Sequence, residues 1–432
     1  MNVISHRDAD FAAQLQRMLA PSSLFDPAIE DQTRAVVEAV RARGDKALIE
    51  LTERFDSARL TTEQFAVSQA EFMAASLQAD DALRAAITET AKNVTAFAKR
   101  SRRKNWTMRN SHGAMVGEKF DPFTRVGIYI PGGAAPLVST ALMTIPLARV
   151  AGCREIVVCT PCDRQGQINP ALLYSARSAG ATEIYRIGGA QAIAALALGT
   201  PTIRKVNKIF GPGNAYVVAA KRLLFGYAAM DLLPGPSELL VLADDTANPA
   251  YIAADMLAQA EHGSGHERVW LLTDSDKILR GVQKEIERQL PKRGRSELIK
   301  RALARNGWLV RVVDFQQGID LTNQLSPEHL ELMCRNAARI TEQLTSAGAI
   351  FIGNDSPTVL GDYVAGPSHV LPAGGTGASF AGLTVDQFQR RTSVVDYKKP
   401  ALKKALGAIR KFAEMEGLDA HGRSAEIRFP SR

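Results

Sequence analysis

The stretch Arg125-Val-Gly-Ile-Tyr-Ile-Pro-Gly-Gly133 decides the fold. Its apolar run, Val126 to Ile130, is too short for a helix, does not alternate with polar residues, and stops at a Pro-Gly-Gly turn. That combination describes a strand buried on both faces, which is the habit of parallel sheets. Working outward, Ile156 to Cys159, Ile184 to Ile187 and Val206 to Phe210 repeat the pattern at βαβ spacing. A second set begins at Glu238 with ELLVLAD, continues with RVWLLT from Arg268 and WLVRVV from Trp308, and returns with AIFIG at Ala349 after a predicted helix over Arg335 to Ser346. Glycine-rich loops, Pro131-Gly-Gly133, Gly188-Gly-Ala-Gln191 and Gly211-Pro-Gly-Asn214, follow strands of the first set, where an open sheet places its ligand crevice.

The expected fold class is therefore α/β: two Rossmann-like, incomplete parallel-sheet domains, with a helical N-terminal segment and a helical C-terminal tail. Asp26-Pro27 reads as a helix cap and first residue, and Gly44 as the stop; a second helix ends near Phe55. After Asp386 the chain reads as a charged tail with a helix over Lys398 to Met415. The segment from Val126 to Ala148 carries no charge and is long enough to span a bilayer, but Pro131, Pro136, Pro146 and Gly132-Gly133 would leave backbone groups unsatisfied in lipid. It reads as a buried strand, turn and helix, so no membrane is expected.

At 432 residues and 46% hydrophobic content, the chain is long enough for more than one core. The N-terminus carries Arg7, Asp8 and Asp10 without an apolar signal segment, so the expected location is cytoplasmic. The net charge of +8 does not indicate nucleic acid, because aromatic content is only 6% and no RNP, zinc-finger or basic-zipper pattern accompanies it. The basic runs at Lys99 to Lys104 and Lys398-Lys399 read as solvated faces. The four cysteines read as reduced thiols, and Cys159-Thr-Pro-Cys162, at the end of an apolar strand, as structural. None sits in a glycine-rich catalytic context, which disfavours a cysteine-nucleophile aldehyde dehydrogenase.

Four scattered short motifs carry chemistry. Asn248-Pro249 starts a helix that ends at Gly263, so Gln259 and His262 fall at i and i+3 on one face. Ser326-Pro327 reads as a cap and first residue, placing Glu328 and His329 in a helix's first turn, where the dipole keeps the imidazole neutral. Asp362 follows Gly361, and His369 ends Gly366-Pro-Ser-His, on a glycine-rich loop. Glu416 and His421 lie in the tail, which must fold back or reach a neighbouring subunit to join them. Together these are ligand types of a zinc site with a general base.

With these motifs the chain resembles the histidinol dehydrogenase family from about Arg34 to Arg428. RVGIYIPGG, GGAQAIAALALGT, KIFGPGNAYV, GPSE, QAEH, PEHLEL, GDYVAGPSH and EGLDAH occur in the family's order and spacing. The resemblance implies a zinc- and NAD-dependent enzyme that oxidises L-histidinol through histidinal to L-histidine, the last steps of histidine biosynthesis. The alternative is a related zinc- and NAD-dependent dehydrogenase of another small polar alcohol. By resemblance Gln259, His262, Asp362 and His421 would hold zinc, and Glu328 and His329 would be the catalytic pair. Ser237, Gln259, His262, His329, Asp362, His369, Glu416 and His421 would contact substrate, and Tyr129, Gln191 and Asn214 would contact NAD. No GxGxxG follows a strand, so the cofactor rests on the resemblance alone. Family members are also similar in being homodimers whose tails complete the partner's site. The expected division is residues 1–25 as an N-terminal segment, 26–125 with 237–381 as the α/β domain carrying most zinc and catalytic residues, 126–236 as the NAD-contacting domain, and 382–432 as a dimer-crossing tail. The chain departs from the family at Ser326 and Ser368, where many members have Ala and Asn, and at Pro234, where many have Ala.

Overall fold

The computed structural model describes residues 1–20, 26–132, 137–233 and 235–429, so Gly133 and Pro136 of the first glycine loop and Pro234 lie outside the described residues. In chain order the strands are β1 (Asn2–Ser5), β2 (Trp106–Arg109), β3 (Met115–Pro122), β4 (Arg125–Tyr129), β5 (Glu155–Cys159), β6 (Glu183–Tyr185) and β7 (Lys208–Phe210). They continue with β8 (Ala229–Met230), β9 (Glu238–Ala243), β10 (Arg268–Thr273), β11 (Gly307–Arg311), β12 (His329–Met333), β13 (Ala349–Ile352) and β14 (Gln389–Asp396). Two parallel sheets result, a five-stranded one ordered β6-β5-β4-β7-β8 and a six-stranded one ordered β1-β11-β10-β9-β12-β13. Every residue of β4, β9 and β12 is buried, as strands covered on both faces require.

The α/β class is as expected, and four local expectations are corrected. Ser326 does not start a helix: it ends the helix Phe315–Leu325 at φ +48, with its N–H on the Thr322 carbonyl, and Glu328-His329 lead into a strand. The run HLELM pairs with β9 on one side and β13 on the other, and that buried central position outweighs the local cap signature. The helix predicted over Arg335 to Ser346 shrinks to Ala337–Ile340 with a single 3₁₀ turn, Thr341–Gln343. The tail does not become helical directly after Asp386: β14 pairs antiparallel with β3 over its full length, making a three-stranded sheet with β2 before the helices Lys399–Glu416 and Asp419–Glu426. The N-terminal segment is not only helical, since β1 adds an edge strand beside β11.

Helix caps fall where the residues place them. Asp26 accepts from the Ala28 N–H at 2.9 Å, and Asn248 accepts from Ala250 at 2.9 Å. The helix Pro27–Arg43 packs on Gly189–Leu198 and Ala215–Leu223, and Asp81–Ser101 packs on Val138–Ala151. Helices within 26–125 thus cover the five-stranded sheet, whereas the expected grouping joined that segment to 237–381. No helix among the described residues is long and apolar enough to cross a membrane.

The strand directions create the site. Tyr129 ends β4, and the Gly188 and Gly211 loops follow β6 and β7, so all three leave the carboxyl edge of the five-stranded sheet. Glu238, Arg268 and His329 begin β9, β10 and β12 at the amino edge of the other. A cleft of about 1320 Å³ lies between the two edges, lined by Pro131, Gly213 and Asn214 on one side and Ser237, Arg268 and Glu328 on the other.

One wall of that cleft hangs on a buried ion pair. Lys221, wholly enclosed, donates to Asp231 Oδ1 at 2.7 Å and to the Gly211 carbonyl at 2.5 Å, while Asp231 Oδ2 accepts from the Gly211 N–H at 2.8 Å. Gly211 itself sits at φ +107, and a Cβ there would lie 2.1 Å from the Tyr129 carbonyl oxygen. Lys221→Met would strand Asp231 as a buried unpaired charge. We expect it to cost about 3–5 kcal/mol in urea denaturation, and a loss below about 1 kcal/mol would contradict the role given to the pair.

Candidate active site

The backbone of a single residue organises the catalytic pair. The backbone N–H of Glu238 donates to Glu328 Oε2 at 2.8 Å, and the carbonyl of the same residue lies 2.9 Å from His329 Nδ1. Because a carbonyl only accepts, Nδ1 must carry the proton, which leaves Nε2 as the basic nitrogen. Nε2 faces Asp362, whose Oδ1 is 4.0 Å away. Burial pushes the His329 pKa down, opposed by the Asp362 charge, so the ring is neutral near pH 7. The cause is therefore desolvation on a strand, not the helix dipole expected from Ser326-Pro327.

Glu328 is enclosed, and burial raises its pKa well above the usual carboxylate range against the opposing Glu238 N–H bond. Its neighbour Glu238 is also buried, which pushes that carboxyl up to about 7 although Arg268 lies 3.5 Å away. Sequence reasoning took Glu238 only as the start of a strand; a charged residue opening a wholly apolar run was the signal that it served something.

Around this pair the other residues gather. Asp362, on the short helix Val359–Tyr363 and not on an open loop, has Oδ1 3.9 Å from His369 Nδ1. His369 Nε2 lies 3.3 Å from the Thr140 hydroxyl, and burial pushes its pKa down to about 4. Thr140 is a further contact that the sequence did not flag. The Ser368 hydroxyl accepts from the Val370 N–H at 3.3 Å, so its side chain shapes the turn that presents His369.

The helix Pro249–Ala260 ends two residues before His262, so Gln259 occupies its last turn and His262 lies just beyond. His262 Nδ1 is 2.9 Å from the Gln259 carbonyl, which leaves Nε2 free, and His262 acts electrostatically on both His329 and His369. The Gln259 side chain is 2% exposed, and its Nε2 has no hydrogen-bond partner among the described residues. A buried amide whose oxygen can serve as a ligand, a free imidazole nitrogen and a carboxylate standing off two histidines form a donor set that fits zinc.

The tail does not join this cluster within one chain. Glu416 and His421 are exposed, and the helices Lys399–Glu416 and Asp419–Glu426 pack on each other. Accordingly, no group of three or more His, Cys, Asp or Glu among the described residues could hold a metal by itself. The structure thus brings Gln259, His262, Glu328, His329, Asp362 and His369 to one region, with Ser237 on the cleft wall, and leaves Glu416 and His421 outside it.

Of the residues expected near the cofactor, Asn214 lines the cleft and caps the helix Ala215–Leu223 by accepting from the Tyr216 and Val217 N–H groups. Tyr129 is buried, its hydroxyl accepting from the Gly189 N–H at 3.0 Å, and Gln191 is 1% exposed on the same turn. The cysteines serve no chemistry at this edge: burial pushes Cys159 upward and holds Cys162 and Cys334 at about 11.

Residues 21–429 match the family model for histidinol dehydrogenase. The chain is 44% identical to the histidinol dehydrogenase of Geobacillus kaustophilus over 92% of its own length and 94% of that protein's. It is 42% identical to that of Heliobacterium mobile, covering 95% and 96% of the two chains. The crystal structure of histidinol dehydrogenase from Elizabethkingia anophelis superposes with a TM-score of 0.94 at 37% identity, covering 99% of this chain and 98% of that one. An acetylating aldehyde dehydrogenase from Geobacillus thermoglucosidasius, at a TM-score of 0.50 and 16% identity, shares the fold alone. Covering nearly the whole chain at this identity, the match establishes that the protein belongs to the histidinol dehydrogenase family.

Proposed function

We propose that this chain carries out both oxidations of L-histidinol, through histidinal to L-histidine, at the amino edge of β9 and β12. Supporting this most directly is the Glu238 backbone, which fixes a neutral imidazole and a carboxyl of raised proton affinity side by side at the cleft. Gln259, His262 and Asp362 would hold zinc, with the partner subunit's His421 as the fourth ligand. When bound, zinc grips the substrate's nitrogens and NAD takes one hydride in each oxidation.

The chain's own residues supply the proton chemistry. His329 Nε2 takes the alcohol proton in the first oxidation, and the Glu238 carbonyl on Nδ1 steadies the imidazolium that forms. Glu328 then takes a proton from water as it attacks the aldehyde, since burial leaves its carboxyl with a proton affinity suited to a base. Asp362 opposes the neutral state of His329 and so favours its taking up that proton. Holding histidinal in the cleft between the steps would keep this reactive aldehyde from escaping.

A dimer supports the same reading from the tail's surface. The tail helices leave Phe412 62% exposed, Met415 69% and Ile427 61%, apolar side chains that a second copy would cover. The same contact would bring Glu416 and His421 to the site.

Glu328→Gln should lower histidinal oxidation by about 10²–10⁴-fold while sparing histidinol oxidation, and His329→Asn should lower both; equal loss of only the first step in both variants, assayed with each substrate separately, would contradict the assignment. Mixing inactive His262→Asn and His421→Asn dimers after subunit exchange should restore roughly a quarter of wild-type activity, because half the dimers are mixed and each has one intact site. No recovery, with exchange verified by mass spectrometry, would place His421 in its own chain's site.

A further inference from the structure

Behind the catalytic strand lies a second pair of carboxyls that the proton chemistry above does not use. Glu331 is two residues along β12 from His329, 1% exposed, and paired in register with Val241 on β9 and Phe351 on β13. Its Oε1 accepts from the Thr358 N–H at 2.9 Å, at the residue that caps the helix bearing Asp362. Its Oε2 is buried with no N–H or O–H donor among the described residues. What it meets is Asp255, itself 9% exposed, on the helix that carries Gln259 one turn further on.

Two interacting buried carboxyls resist being ionised together without a cation, and no cation among the described residues acts on them. The ionisable group acting on Glu331 is Asp255, the one acting on Asp255 is Glu331, and the remaining partner is the Thr358 N–H. Burial raises both pKa values; the hydrogen bond lowers that of Asp255 and raises that of Glu331. Glu331 therefore holds the proton and donates it to the Asp255 carboxylate.

We propose that Asp255 and Glu331 share one proton as a buried strut that fixes three elements in register: the helix that carries Gln259 and leads to His262, the strand of His329, and the Thr358 turn into the helix of Asp362. Both are positioning residues, acting through the groups they hold. The strut rests on the reading of Gln259, His262 and Asp362 as zinc ligands, and supplies the rigidity such ligands need from the residues behind them.

The decisive experiment compares Glu331→Gln with Glu331→Ala in the intact dimer. An amide N–H can replace the carboxyl proton, so Glu331→Gln should release zinc to a chelator within about threefold of the wild-type rate, whereas Glu331→Ala should release it at least about tenfold faster. Asp255→Ala repeats the comparison from the helix side if Glu331→Ala does not accumulate as folded protein. A second readout needs no metal. A carboxyl whose folded pKa is raised stabilises less as pH climbs from its unfolded value through the folded one, so metal-free wild type should lose Tm relative to Glu331→Gln as pH rises above the ordinary carboxylate range.

Equal zinc release from Glu331→Gln and Glu331→Ala, or a Tm difference that does not change with pH, would overturn the strut. If His262→Asn retained zinc, the ligand assignment would fail instead. Loss of zinc in His262→Asn with full retention in Glu331→Ala would overturn the strut alone.

Discussion

The parallel pairing of β9 with β12 is the constraint on which the site depends. Only with Leu239 opposite His329 does the Glu238 backbone present its N–H to one catalytic side chain and its carbonyl to the next. A one-residue slip would turn His329 to the other face of the sheet and leave its Nδ1 without an acceptor. The apolar side chains of β9, β12 and their neighbours fix that register, so the hydrophobic core sets the tautomer of the base.

Burial then does the electrostatic work. At this edge it holds His329 and His369 neutral and raises Glu328, Glu238 and Glu331, so that few charges remain until a ligand brings its own. Such an arrangement costs stability and is sustained by the two packed sheets around it. The opposite cleft wall uses another device, a wholly enclosed Lys221–Asp231 pair that holds a glycine loop in a backbone conformation closed to other residues.

Much of this was legible in the sequence. The apolar runs from Val126, Ile156, Glu238, Arg268 and Ala349 all became strands, because full burial on both faces leaves an unambiguous pattern. Asp26-Pro27 and Asn248-Pro249 became helix starts because their caps are local chemistry. Ser326-Pro327 carries the same local signature, yet there pairing with two neighbouring strands prevailed. That competition is decided by contacts far apart along the chain. The antiparallel sheet of β2, β3 and β14 was hidden for a similar reason: Gln389–Asp396 is mostly exposed and polar, and its partner lies more than two hundred residues away. Gln259, His262, Asp362 and His369 were legible as donors; their convergence, and the failure of His421 to join them in one chain, required coordinates.

Both oxidations at one enclosed site is the central claim, and the ratio of NADH formed to histidine produced tests it most directly. Purified protein given L-histidinol and NAD, with a trapping reagent for free aldehyde, should yield about two NADH per histidine with negligible trapped histidinal, and a chelator should abolish both products together. A ratio well above two with histidinal accumulating in the trap, or histidine formed undiminished after the metal is stripped, would contradict it.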